Sequence, residues 1–219
     1  QEETSSLKRY ANGNKLELMK SMCRIKEDER ILEIGCGDGE FTKRLINSKA
    51  KIVATDVTNK LLIRGKKNIG AGNIKFLKED AENLNFKSNS FDIVCGVSIL
   101  HHVDTKKALE EAYRVLKPGG QIFFTEPNLL NPNIFLGLHI PGLRERMEFS
   151  DDETALIRWQ VEGMLKSSGF KKIAVRNYDF LHPLTPKVLI KTIEVFGRIL
   201  EKTPLVKEIS GSLLIWARK

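Results

Sequence analysis

The chain has 219 residues, of which 36 are Lys or Arg and 28 are Asp or Glu, so its formal net charge is +8. No apolar run approaches the ~20 residues that a membrane-spanning helix needs, which argues against a membrane-spanning protein. A chain of this length can bury most of its apolar surface around one core, and we predict a single domain over residues 1–219.

The positive charge is concentrated in the last quarter of the chain. Residues 166–219 contain eleven Lys or Arg and four Asp or Glu. A solvated surface is one interpretation, and attraction to an anionic partner is the other. No basic stripe is interleaved with aromatic residues, and this argues against nucleic acid as a partner.

The three cysteines share no spacing typical of a metal site or a disulfide framework. We interpret Cys23, Cys36 and Cys95 as reduced thiols, as in a cytoplasmic protein.

Strand-like and helix-like segments alternate along the chain. This alternation predicts an α/β fold with right-handed βαβ units and a mostly parallel sheet covered by helices on both faces. The predicted strands are 30–35, 51–56, 73–78, 91–97, 120–126, 171–178 and 211–218, and the predicted helices are 14–24, 39–48, 58–69, 104–116 and 153–168.

A glycine-rich turn follows the first predicted strand. Gly35, Gly37 and Gly39 occupy alternate positions, and helix-compatible sequence follows at once. Glycines in such a turn let backbone N–H groups approach a ligand closely, because no Cβ stands in the way. Asp56 ends the next strand, 21 residues after Gly35, where a carboxylate can accept both ribose hydroxyls. Together these residues predict a site for a nucleoside cofactor.

The turn differs from the dinucleotide fingerprint. Glu40 occupies the third glycine position of G-x-G-x-x-G, Glu33 precedes the turn and Asp38 lies within it. Carboxylates repel a diphosphate but suit a ligand that carries an ammonium group and a sulfonium.

These residues resemble motif I of the class I methyltransferases that use S-adenosylmethionine. The segments GNIKFLKEDAENLNF (72–86), FDIVCGVSILHHV (91–103) and RVLKPGGQIFFTEPN (114–128) follow in the order found in the type 11 small-molecule methyltransferase family. The resemblance implies a Rossmann-like seven-stranded sheet of order 3-2-1-4-5-7-6 with an antiparallel seventh strand. It also implies an enzyme whose cofactor is S-adenosylmethionine.

The resemblance assigns cofactor contacts to matching positions. The glycine turn would meet the methionine part, Asp56 the ribose and Asp80 the adenine amino group. For Asp56 and Asp80 the alternative is a helix cap or a turn residue. The residues implied are Tyr10, Glu33, Gly35, Cys36, Gly37, Asp56, Val57, Asp80, Ala81 and Val97.

Methyl transfer requires alignment above all, and a base only where the acceptor must lose a proton. His101 and Glu126 are the catalytic candidates, with His102 a weaker one; a structural role is the alternative for the histidines. No metal constellation emerges, and no carboxylate set matches the magnesium site of the catechol methyltransferase type.

Two segments interrupt the alternation, 127–150 and 179–210, and we predict lid-like insertions there. Apolar side chains in the first suggest a lipid-like or aromatic acceptor, and Arg144 and Arg146 could grip an anion. Residues 185–202 carry an amphipathic stripe. One interpretation is a helix that packs on the sheet edge or on a twin subunit, and the other is a lid or a helix at a membrane surface. The oligomeric expectation is a monomer or homodimer.

Two alternatives to a methyltransferase are an NAD-dependent oxidoreductase and a non-catalytic S-adenosylmethionine-binding module. Glu40 in the fingerprint and the lack of a Tyr-x-x-x-Lys pair after strand five disfavour the first. The intact cofactor loops argue against the second. The leading interpretation is therefore O-, N- or C-methylation of a small or amphiphilic molecule.

Overall fold

The computed structural model describes residues 15–70, 73–146, 154–180 and 203–219, together with positions 192, 197 and 200. Residues 15–23 form the helix α1. The strands are β1 (Arg30–Ile34), β2 (Lys51–Asp56), β3 (Ile74–Lys78), β4 (Phe91–Val97), β5 (Leu116–Pro127), β6 (Lys171–Tyr178) and β7 (Ser212–Arg218). The other α-helices are α2 (Thr42–Leu45), α3 (Asn59–Ile69), α4 (Thr105–Val115), α5 (Pro132–His139), α6 (Pro141–Arg146) and α7 (Arg158–Ser167).

The seven strands form one sheet of order β3-β2-β1-β4-β5-β7-β6. β1 pairs in parallel with β2 and β4, and β4 pairs in parallel with β5. β7 is antiparallel to both β5 and β6. The predicted fold class, strand order and antiparallel seventh strand are confirmed.

The central strands are apolar on both faces because both faces are covered. On one face Leu32, Val94 and Phe124 pack with residues of α4 and α7. On the other face Ile31 and Phe123 pack with residues of α1 and α2. Such near-continuous apolar strands are typical of parallel sheets between two helical layers.

Local interactions define the start of α4 and the end of α7. Asp104 caps α4, since its Oδ1 accepts a hydrogen bond from the Lys107 N–H at 3.1 Å. Gly169 follows α7 with φ +95°, a left-handed conformation that an L side chain rarely adopts.

Several boundaries differ from the prediction. The helix predicted at 39–48 is α2 over Thr42–Leu45, followed by a short 3-10 helix over Ile46–Ser48. β5 begins at Leu116 rather than 120, because Leu116 pairs with Phe91 and a bulge carries the Pro-Gly-Gly turn before pairing resumes at Gln121. α7 begins at Arg158 rather than 153, because Leu156 forms a bridge with Asn128 and keeps the preceding backbone extended.

The first predicted insertion contains α5 and α6. Phe135 and Leu136 are 47% and 43% exposed, so these side chains do not belong to the core. The second predicted insertion, including the amphipathic stripe at 185–202, lies almost wholly outside the described residues. In the described parts of the chain, no helix is long and apolar enough to cross a membrane.

Candidate functional site

The turn after β1 lies at the carboxyl edge of the sheet, where ligands bind in open α/β folds. Gly35 and Gly37 have φ values of +66° and +55°. A Cβ on Gly35 would lie 2.4 Å from Ile99 Cγ1, so the loop after β4 packs directly on this glycine. A Cβ on Gly37 would meet no atom of the described residues within 4 Å, so the turn has an open side with respect to this part of the chain. The backbone of the turn is therefore both fixed and accessible.

Asp56 connects the end of β2 to this turn. Its Oδ2 accepts a hydrogen bond from the Gly37 N–H at 2.9 Å, and its Oδ1 accepts one from the Thr58 N–H at 2.8 Å. A carboxylate offers about four acceptor positions, so these two bonds orient the group without exhausting it. The side chain is half-buried, which leaves it within reach of a ligand at the rim.

Glu33 lies beneath the turn and is only 2% exposed. Its Oε2 has no hydrogen-bond partner among the described residues. Burial raises the pKa of Glu33 to about 8; Thr42 opposes the shift by hydrogen bonding and the charge of Asp56 adds to it. Burial also raises the pKa of the Cys36 thiol, and the carboxylates of Glu33 and Asp56 raise that pKa further.

This arrangement fits a cationic cofactor better than an anionic one. The open side at Gly37, the oriented Asp56 and the unsatisfied Glu33 form a site surrounded by carboxyl groups. A diphosphate would meet repulsion there, whereas an ammonium or a sulfonium would be attracted. The residues present therefore fit S-adenosylmethionine.

The other predicted cofactor residues occupy the same rim. Val57 follows β2 and is 63% exposed, whereas Ala81 after β3 is buried. Asp80 is exposed, and its Oδ1 accepts a hydrogen bond from the Glu82 N–H at 2.9 Å. Val97, at the end of β4, is half-buried. Their contacts with a cofactor stay predictions.

The two catalytic candidates form a buried pair. His101 Nδ1 lies 2.7 Å from Glu126 Oε2, and their side chains are 3% and 0% exposed. Glu126 Oε1 also accepts hydrogen bonds from the backbone N–H groups of Ile99 and Leu100, each at 3.0 Å. Glu126 thus fixes the loop after β4, including the residue that packs on Gly35, and it orients the His101 ring.

Other polar side chains considered for the site are not brought to the rim by any described contact. His139 Nδ1 lies 2.7 Å from the Phe135 carbonyl oxygen, and Arg144 donates to the Leu138 carbonyl oxygen at 3.1 Å, so both side chains engage the α5–α6 segment itself. His102 is exposed beside His101. Tyr10, the side chain of Arg146 and His182 lie outside the described residues.

The structure adds a group of polar residues that sequence reasoning did not assemble. Thr125 near the end of β5 and Tyr178 at the end of β6 each have a buried hydroxyl oxygen with no hydrogen-bond partner in the part of the chain that the structure describes. Lys15 of α1 is close enough to Asp179 and Glu126 for their charges to act on it. Nothing in the sequence links Tyr178 to Thr125 or Lys15, because their proximity depends on tertiary packing.

A cavity of about 590 Å³ lies along β6, the edge strand. Its lining includes Leu18 and Met22 of α1, Tyr178 of β6 and Leu214 of β7. It is separate from the glycine turn, so we do not assign the cofactor to it. Tyr178 belongs both to its wall and to the polar group at the rim.

Residues 32–124 match the family model described as "Methyltransferase domain". Curated relatives include the ubiquinone/menaquinone biosynthesis C-methyltransferase UbiE of Haemophilus ducreyi, 32% identical over 110 residues, and UbiE of Escherichia coli, 34% identical over 110 residues. These alignments cover 47% of this chain and 42% and 44% of the relatives, respectively. The chain thus aligns with less than half the length of these relatives.

Solved structures share the whole fold at lower identity. An S-adenosylmethionine-dependent methyltransferase of Thermotoga maritima has a TM-score of 0.69 and 22% identity, covering 96% of this chain and 90% of that one. Phosphoethanolamine N-methyltransferase 2 of Haemonchus contortus, solved with S-adenosyl-L-methionine, has a TM-score of 0.67 and 21% identity, covering 94% of this chain and 52% of that one. The resemblance predicted from the sequence is supported: residues 32–124 match the methyltransferase domain model, and the fold is shared with solved S-adenosylmethionine-dependent methyltransferases.

Proposed function

We propose that this chain, built around the methyltransferase domain at residues 32–124, is an enzyme that transfers the methyl group of S-adenosylmethionine to a small or amphiphilic molecule. One observation carries the proposal. The Gly37 N–H donates to Asp56 Oδ2 at 2.9 Å, so the open glycine turn is joined to the acidic end of β2. Buried Glu33 lies beneath this turn, and its Oε2 has no hydrogen-bond partner among the described residues. This geometry suits a cationic nucleoside and opposes a diphosphate.

The proposed cofactor contacts follow the carboxyl edge of the sheet. Gly35, Cys36 and Gly37 would place backbone against the methionine part, and Asp56 would accept the ribose hydroxyls. Glu33 would favour the ammonium group from below. Val57, Asp80 and Ala81 would hold the adenine, Val97 would lie beside the methionine part, and Tyr10 would close over the cofactor.

The cofactor would supply an activated methyl group, so the protein's contribution is alignment and exclusion of water. The loop after β4 has to be rigid for this purpose, and Glu126 makes it so through its bonds to the Ile99 and Leu100 N–H groups. We propose His101 as the base for an acceptor that must lose a proton. Because Nδ1 is engaged by Glu126, the proton would go to Nε2.

The acceptor is proposed to be a small molecule with apolar character. Support comes from the partly exposed apolar side chains of α5, such as Phe135 and Leu136, in the first insertion. The name of the UbiE relatives assigns those proteins to quinone biosynthesis, which agrees with an acceptor of this kind.

Further proposals concern the organisation and surroundings of the chain. They are a single domain with lid-like insertions at 127–150 and 179–210, a cytoplasmic location, a monomer or homodimer, and peripheral membrane contact through 185–202.

Calorimetry with S-adenosylmethionine and S-adenosylhomocysteine tests the cofactor proposal. The parent protein should bind both with micromolar dissociation constants and should not bind NADH. Asp56→Ala removes two charge-assisted acceptors, each worth about 1.5–3 kcal/mol, so we expect at least about 10-fold weaker binding.

Asp28→Asn is the matched control, because this carboxylate is 86% exposed and pairs with Lys51 at the surface, and because Asn tolerates the left-handed backbone of Asp28 (φ +69°). Equal affinity of the Asp56 variant and the parent would overturn the assignment. Cofactor binding without turnover of S-adenosylmethionine, with any of a panel of hydroxylated and amine acceptors, would instead favour the non-catalytic module.

A further inference from the structure

Two buried hydroxyl groups at the carboxyl edge of the sheet, away from the glycine turn, have no hydrogen-bond partner among the described residues. Thr125 is 1% exposed, and its Oγ1 is one of these groups. The enclosed Oη atom of Tyr178 is the other. A buried polar group left unsatisfied costs about 1–3 kcal/mol, so two at one place require an explanation.

The strand register puts both hydroxyls on one face of the sheet. Thr125 pairs with Leu214 of β7, and Tyr178 pairs with Ser212, two positions earlier on the same strand. Residues two apart on a strand share a face, so Thr125 and Tyr178 lie on the face that contacts α1 through Leu214 and Tyr178. Burial raises the pKa of Tyr178 above its usual range and the charge of Asp179 adds to this rise, whereas the nearby Thr125 and Ser212 hydroxyls oppose it. Tyr178 therefore keeps its proton and can donate it.

The charges that act directly at this edge are one ammonium and two carboxylates. Burial lowers the pKa of Lys15, and the charges of Asp179 and Glu126 oppose that shift. Next to the two hydroxyls, an incoming phosphate or carboxylate would therefore add negative charge beside two carboxylates, whereas an uncharged oxygen would not.

We propose that Thr125 and Tyr178 form an acceptor subsite that binds an uncharged hydroxyl or carbonyl oxygen of an otherwise apolar molecule. A hydroxyl or carbonyl oxygen satisfies both protein hydroxyls at once, because each can donate to it and the ligand hydroxyl can donate in turn. Leu18, Met22 and Leu214 line one part of the adjoining cavity and suit the apolar remainder of such a molecule, while charged side chains line another part of its wall (Arg158, Arg176, Lys207 and Glu208). The inference rests on the proposed function and narrows its substrate class to molecules that present an uncharged oxygen to Thr125 and Tyr178.

Fluorescence titration with 2-naphthol in the presence of S-adenosylhomocysteine tests the subsite. Naphthalene serves as the probe without oxygen, and 2-naphthyl phosphate as the anionic probe. The parent should bind 2-naphthol at least about 5-fold more tightly than either. Tyr178→Phe and Thr125→Val should each reduce the 2-naphthol affinity by about 3- to 10-fold, the equivalent of one hydrogen bond, and leave naphthalene binding unchanged.

Tyr113→Phe is the matched control, since Tyr113 packs against Phe170 on the opposite face of the sheet. Thermal unfolding provides a second readout, because removing an unsatisfied buried hydroxyl should not destabilise the protein, whereas removing a structural hydrogen bond would.

Three outcomes would each overturn the subsite: equal 2-naphthol affinity in parent and variants, absence of 2-naphthol binding, or preference for the phosphate. Normal S-adenosylhomocysteine affinity in the same samples would show that the subsite alone had failed, whereas loss of cofactor binding by the parent would contradict the proposed function itself.

Discussion

At the scale of single residues, the two carboxyl groups at the cofactor turn differ in their environment. Asp56 accepts two backbone hydrogen bonds and is half-buried. Glu33 is buried with an unsatisfied oxygen, and its pKa is raised to about 8. Asp56 thus keeps acceptor positions beyond its two backbone bonds, whereas the Glu33 carboxyl, with its pKa raised to about 8, keeps its proton at neutral pH in the ligand-free protein.

Glu33 should make the stability of the ligand-free protein depend on pH. The unfolded chain loses the Glu33 proton near pH 4.5, whereas the folded protein keeps it up to a pKa of about 8. Folding therefore takes up a proton between these values, and stability falls as the pH rises from about 5 to 8. Glu33→Gln cannot titrate, so urea unfolding should show a flatter pH profile and, at pH 8, a stability above that of the parent.

Glu17→Gln is the control for this series, because the Glu17 side chain is 72% exposed on α1. It should reproduce the parent's pH profile. If Glu33→Gln has the same slope as the parent between pH 5 and 8, then Glu33 is not the group that keeps its proton.

Single residues were predictable from the sequence where local chain geometry determines their place. Asp56 lies at the predicted strand end because the βαβ spacing fixes it relative to Gly35. His101 and Glu126 were each identified, but their contact across 25 positions depends on the neighbouring strands β4 and β5. Lys15 and Thr125 were missed, because a polar residue near a helix start or strand end carries no signal of what it will face.

At the scale of elements, the sequence predicted the ends that local chemistry determines. The Asp104 cap and the Gly169 left-handed residue depend on nearby backbone alone. The start of β5 was wrong by four residues, because its first pairing, Leu116 with Phe91, is made with another strand. Long-range hydrogen bonds of this kind leave no local trace in the sequence.

Asn131 gives a prediction at this scale, because one side chain caps α5 and joins it to the turn before β7. Its Oδ1 accepts hydrogen bonds from the Asn133 and Ile134 N–H groups, and its Nδ2 donates to the Ile209 carbonyl oxygen at 2.8 Å. Asn131→Ala loses the cap and the tether and should lower the free energy of unfolding by about 1–2 kcal/mol. Urea unfolding measures the change.

Asn131→Asp separates the two roles. The carboxylate keeps the cap but offers no donor to the Ile209 carbonyl oxygen, so its loss of stability reports the tether. Stability equal to the parent in both variants would show that neither contact holds the first insertion in place.

At the scale of the whole molecule, one sheet separates two apolar cores. The alternation of strands and helices predicted this layered arrangement, since strands apolar on both faces need cover on both. The strand order came from the resemblance alone. Order depends on which crossovers pass over which strands, and the periodicity of single segments does not encode that choice.

The two cores should unfold together if the chain is one domain. Ile31 packs on the face with α1, and Ile122 packs on the face with α4 and α7; both are fully buried. Each Ile→Val change should cost about 0.5–1.5 kcal/mol. Because each side chain belongs to a different core, the double variant should lose free energy of unfolding equal to the sum of the two single losses, within about 0.5 kcal/mol. It should unfold in a single transition that tryptophan fluorescence and circular dichroism report alike.

Ile63→Val is the control, because its side chain is 60% exposed, and it should change stability by less than about 0.5 kcal/mol. Separate transitions for the two core variants would mean that the faces of the sheet unfold independently, and the single-domain proposal would then be wrong.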